Sequence, residues 1–161
     1  MRPFESGKVA EIVGIRPIYL NKFVERKLYG IEPSAQRGTG KGTRRWFNLD
    51  DLFGIALVWW LFEAGLRAEV IKRVLRGLGN TSKADAYSAA KRLRESGAEY
   101  LVVRRGIRSA ASKDKWPPQQ VSFASVREVS DCLKQSDKES LHVLPVGRLL
   151  ASVSSQLKKY G

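Results

Sequence analysis

Arg37, Lys41, Arg44 and Arg45 crowd into one short stretch, "RGTGKGTRRWF", together with three glycines and the aromatic pair Trp46-Phe47. Cations spaced this closely suit a row of phosphates, because each one that neutralises a phosphate releases a condensed counterion. Gly38, Gly40 and Gly42 let such a segment approach a backbone closely. A second set stands upstream. Tyr19, Lys22 and Arg26 recur at three-and-four spacing, which puts them on one helical face, and Arg16 and Lys27 flank them. Residues 16 to 45 hold eight basic residues against two acidic ones, a net of +6. Arg44 and Arg45 alternate in a strand, so one can face phosphate while the other points away. Trp46 and Phe47 divide in the same manner, one of them closing the core.

Other chemistry is thin. Cys132 and His142 are the sole cysteine and histidine. A zinc site takes about four ligands, commonly Cys and His. Cys132, near Val129 and Leu133, reads as a small apolar residue, and His142 as structural. "GTGKGT" lacks the spacing of a Walker phosphate loop and reads as a hairpin tip. With one histidine and no nucleophile–base or paired-carboxylate constellation, acid–base catalysis has few candidates. Neither enzymatic activity nor a cofactor or metal is expected.

The chain of 161 residues carries 29 basic residues against 16 acidic ones, a net charge of +13, with an ordinary hydrophobic content of 43%. It is long enough for one domain with a sizeable core or two small ones. The charge points to a nucleic-acid partner. One cysteine excludes an intramolecular disulfide and fits a reducing compartment. No signal peptide is read in "MRPFESGKVAEIV". The richest apolar run, "LFGIALVWWLF" at 52–62, falls short of the roughly 20 residues that span a bilayer. A cytoplasmic location is expected.

The elements that must position the cations follow from periodicity and turn chemistry. "KVAEIV", 8–13, predicts a short helix, Gly14 a turn, and Pro17 the first position of a second helix over 17–27. Glycines and a proline make 28–45 loop or hairpin, with "TRRWF" a strand, so the hairpin arm is placed at 37–47. Asn48 or Asp50 caps a helix over 49–63 that is apolar nearly all round and therefore central. A helix over 67–78 follows. "GLGNTS", 77–82, reads as a domain boundary. Beyond it lie a helix over 83–96, a strand at 99–105, a loop fixed by Pro117-Pro118, a strand at "QVSFA", a helix over 126–135, a strand at "SLHVLPV" and a final helix over 147–159. The expected class is α+β: a DNA-binding N-terminal domain, 1–80, and a small α/β domain, 81–161, for dimerisation or partner binding.

Residues 8–78 resemble the DNA-binding domain of the MerR family, a winged helix-turn-helix. The matching pieces are "KVAEIVGIRPIYLNKFVERK", "TRRWFNLDDL" and "WLFEAGLRAEVIKRVL". The chain departs from the family at Asn21-Lys22, where an arginine followed by aromatics is usual. It departs again at Gly77 and Gly79, which interrupt the place of the long dimerisation helix. The resemblance implies that 17–27 lies in the major groove and that the 37–47 wing holds flanking phosphates.

The leading expectation is a sequence-specific, dimeric transcriptional regulator binding double-stranded DNA through Arg16, Tyr19, Lys22, Arg26, Lys27, Arg37, Lys41, Arg44 and Arg45. The alternative is an antitoxin or phage-type accessory protein whose C-terminal half binds a protein partner. A third class is an RNA-binding protein using "RRGIRSAASKDK", 104–115.

Overall fold

A computed structural model describes residues 3–37, 44–106, 119–134 and 139–160. Lys41 and the three glycines around it lie outside the described residues, as does most of the second basic run. The chain is of mixed α+β class, with two three-stranded antiparallel sheets among the described residues.

The first helix, α1 (Ser6–Val13), buries Val9, Ala10 and Ile12 and ends at Gly14. Gly14 has φ +75°, a conformation that costs glycine little, and its N–H closes the helix on the Ala10 carbonyl. Helix α2 (Pro17–Glu25) follows, with Pro17 in its first turn and Leu20, Phe23 and Val24 buried. It stops at Glu25 rather than Lys27. Lys27 and Tyr29 both take positive φ, +47° and +60°, and Tyr29 is driven into the core edge-on to Phe23, with ring centroids 5.7 Å apart. Core burial of Tyr29 overrides the local preference of two non-glycine residues.

Strands β2 (Ala35–Arg37) and β3 (Arg44–Phe47) pair antiparallel, with Ala35 opposite Trp46 and Arg37 opposite Arg44. The other edge of β3 is taken by β1 (Phe4–Glu5), whose Phe4 lies opposite Phe47. Periodicity gave no sign of this strand. Helix α3 (Leu49–Glu63) starts at a capping box. The Asp51 N–H donates to Asn48 Oδ1 at 2.8 Å, and the Asn48 N–H donates to Asp51 Oδ2 at 2.9 Å. Asp50 instead pairs with Arg94. Leu52 through Trp59 and Leu61 are all buried, so α3 is the central element.

Helices α4 (Ala68–Gly79) and α5 (Ala86–Ser96) pack on α3 and on each other. The contact is close because it is built of small residues. A Cβ at Gly54 would stand 3.1 Å from the Ala86 carbonyl carbon. Ala86, Ala89 and Ala90 are buried here with Leu93.

The second sheet runs β5-β4-β6, with β4 (Tyr100–Gly106) between β5 (Gln119–Ala124) and β6 (Glu139–Leu144). Helix α6 (Val126–Lys134) makes the crossover from β5 to β6. Helix α7 (Val146–Lys158) returns over α3 and α1. Leu101, Val103, Val146 and Val153 join Val9, Leu57 and Leu75 in one continuous buried cluster. Both halves of the chain thus share their apolar interior. Among the described residues no helix is long and apolar enough to cross a membrane.

Candidate nucleic-acid interface

The outer face of α2 is set by what its inner face buries. With Leu20, Phe23 and Val24 inward, Ile18, Asn21, Lys22 and Glu25 are left exposed. Ile18 is 58% exposed, an unusual place for so large an apolar side chain. Lys22 is where the sequence put it. Arg26 is exposed just past the last turn. Ile18 and Asn21 belong to the same surface, and their spacing on the helix was the signal that could have found them.

Tyr19 is turned from that face toward the end of α3. Its ring centroid lies 5.3 Å from Trp59 and 6.0 Å from Phe62. Arg16, the residue before α2, donates from Nη2 to Tyr19 Oη at 2.6 Å, with its guanidinium carbon 4.7 Å from the ring centroid. The Lys22 ammonium stands 5.7 Å from the same ring. Lys27 is paired with Glu32 at 3.2 Å, which offsets part of its charge.

In β3 the side chains alternate between two faces, and the two arginines separate accordingly. Arg45 and Phe47 point inward. Phe47 is fully buried, and the Arg45 side chain is only 15% exposed. Arg45 donates from Nη1 to Asn21 Oδ1 at 3.1 Å, and its Nη2 lies 3.8 Å from Glu25. It thereby ties the hairpin to α2, one helical turn of which carries both partners. Its Nε is buried with no hydrogen-bond partner among the described residues.

Arg44 and Trp46 point to the opposite face. Arg44 is exposed and directly across from Arg37, which is exposed too. Trp46 is half-buried, and the Arg37 guanidinium lies 6.0 Å from its ring centroid. Among the described residues, neither Arg37 nor Arg44 has a carboxylate within ion-pair distance. Like charges directly opposite in a sheet are destabilising by roughly 0.2–1 kcal/mol, a penalty that an anion between them would reverse.

Arginine and lysine here offer cationic hydrogen-bond donors. Among the described residues no group of three or more His, Cys, Asp and Glu is placed to hold a metal ion. His142 is exposed in β6, opposite Val103. No protein-family model matches the chain, and no curated protein matches it.

Proposed function

We propose that the chain is a sequence-specific regulator of transcription that binds double-stranded DNA as a dimer, through a winged helix-turn-helix of the MerR kind. The outer face of α2 enters the major groove with Lys22, Arg26, Asn21 and Ile18. The β2–β3 hairpin lies on the flanking backbone with Arg37 and Arg44. Arg16, Tyr19, Lys27 and Arg45 act behind these, as supports and as a source of positive potential.

The observation that carries the reading is the Arg45 tie between the hairpin and Asn21 and Glu25 of α2. A helix and a hairpin that must grip one duplex need a fixed mutual position, and a loose pair would lose affinity to ordering. The exposed guanidiniums of Arg37 and Arg44, set against each other with no carboxylate within ion-pair distance among the described residues, support it further. A dimer is part of the reading because one recognition helix contacts few base pairs, and two half-sites a helical turn apart supply the rest.

Genomic footprinting of the tagged protein tests the proposal. Occupancy of discrete sites, each with two half-sites, is the expected result. Uniform coverage, or none, would refute it. Light scattering on the full chain gives a second check, since a monomer at every concentration would remove the dimer.

A further inference from the structure

Phe62 is 44% exposed at the last turn of α3, a helix whose apolar residues are otherwise nearly all buried or half-buried. It does not stand alone. Its ring is stacked on Trp59 at 18° and 5.6 Å between centroids. Tyr19 is tilted against both. Two cations, Arg16 and Lys22, are held over Tyr19 at 4.7 Å and 5.7 Å from its centroid. The trio is anchored from beneath, because Trp59 is 8% exposed and cannot swing out.

We infer that the Phe62 ring is a stacking platform for an unpaired nucleobase, with Arg16 and Lys22 placed for the phosphates on either side of it. Every base has a flat π-face, and aromatic rings beside cations are what single-stranded nucleic acid binds on other proteins. A pre-stacked Trp59–Phe62 pair loses little side-chain freedom when a third ring is added, since Trp59 is already fixed by packing. The charge complementarity is direct: the groups over the adjoining Tyr19 ring are cations, and the chain as a whole carries +13. A purely apolar docking face would gain nothing from them. The assignment rests on the reading of α2 as the nucleic-acid side of the molecule. It adds to that reading a preference for strands that are locally unstacked.

The test uses the full chain and two fluorescent probes, a mixed-sequence single-stranded oligonucleotide and the duplex of the same sequence, read by anisotropy at two salt concentrations. Phe62→Leu keeps an apolar side chain and removes the π-face. Loss of one base stack predicts single-strand affinity falling by roughly 5- to 150-fold. Duplex affinity should change less than about twofold, because the duplex contacts assigned to Lys22, Arg37 and Arg44 remain. Arg44→Gln should show the reverse pattern. Melting temperature of Phe62→Leu checks that the fold is kept. Equal losses on both probes, or no loss on the single strand, overturn the platform. A change in oligomeric state caused by Phe62→Leu also overturns it, since that marks the patch as a contact between copies. Should wild type ignore the duplex yet bind the single strand through Phe62, the regulator reading fails and the platform stands.

Discussion

Arg44 and Arg45 are neighbours in sequence, yet they should fail in opposite ways when replaced. Arg44→Gln removes an exposed charge that faces Arg37 across the strand pair. Relief of that repulsion should raise stability by a few tenths of a kcal/mol, and at most about 1 kcal/mol. Arg45→Ala removes more. The bond to Asn21 is worth about 1 kcal/mol. The ion pair with Glu25, at 3.8 Å and with Glu25 61% exposed on its side chain, adds between about 0 and 1 kcal/mol. Two methylenes of the covered stem contribute about 0.8 kcal/mol each. Against these stands the buried Nε without a partner, whose removal returns about 1 kcal/mol or more. The balance is a loss of about 2 kcal/mol. Arg45→Met keeps the stem, and its loss should fall within about 1 kcal/mol.

Urea unfolding reads these differences as shifts in midpoint at constant slope. Duplex binding gives the second axis. On the proposed DNA-binding reading Arg44→Gln loses a phosphate contact, so the salt slope should shrink by about one unit. Arg45→Met should weaken binding with an unchanged salt slope, because it frees the hairpin from α2 without touching DNA. A salt slope that shrinks equally in both variants would show that Arg45 is itself a phosphate ligand. An Arg45→Ala variant as stable as wild type would show that the tie contributes nothing to holding hairpin and helix together.

Three further outcomes are expected. Gly54→Leu should destabilise the chain by about 3 kcal/mol or more in thermal melting, because its Cβ meets the backbone of Ala86 and neither helix can yield cheaply; a gain like that of glycine-to-alanine in an open helix would contradict the close α3–α5 contact. A chain ended at residue 80 should lose cooperative melting by circular dichroism, because α5 and its Leu93, Ala89 and Ala90 no longer cover α3 and α4; a sharp transition would show that the first half folds alone. The junction of Tyr160 with Glu11 and Lys8 should depend on pH. The hydrogen bond from Tyr160, then that from Lys8, holds the Glu11 carboxyl below its ordinary 4.5, and the same bond to Glu11 holds the Tyr160 phenol above its ordinary 10.0. A lowered carboxyl stabilises above its unfolded value and loses that as pH falls through the folded one; a raised phenol stabilises below its unfolded value and loses that as pH rises through the folded one. The melting difference between wild type and Tyr160→Phe should therefore be present at neutral pH and vanish in strong acid, and a difference that persists there would remove the carboxyl from the account.

The helices that carry their own signal were legible in the sequence. Helix α3 occupies the predicted 49–63, since eleven apolar or near-apolar positions in a row, a capping asparagine and a closing glycine all agree. What periodicity could not supply was the meeting of one element with another. Strand β1 is two residues long and exists because Trp46 and Phe47, far along the chain, offer it an edge. Helix α2 loses its last two predicted residues to the burial of Tyr29. The alanines of α5 give little apolar pattern, and they are buried because small size lets α5 come close to Gly54. The candidate interface divides along the same line. Helical spacing put Tyr19, Lys22 and Arg26 on one face, as though α2 had a single neighbour, but the end of α3 claims Tyr19 from the side. Strand alternation separated Arg44 from Arg45 but could not say which would be bound to α2. With Lys27 held by Glu32 and Arg45 by Asn21 and Glu25, the exposed cations among the described residues left to meet a phosphate on this surface are Arg16, Lys22, Arg26, Arg37 and Arg44. Three of these lie on or beside the helix and two on the hairpin, and the tie from Arg45 to α2 that sets the two groups against each other is a contact that no local pattern contains.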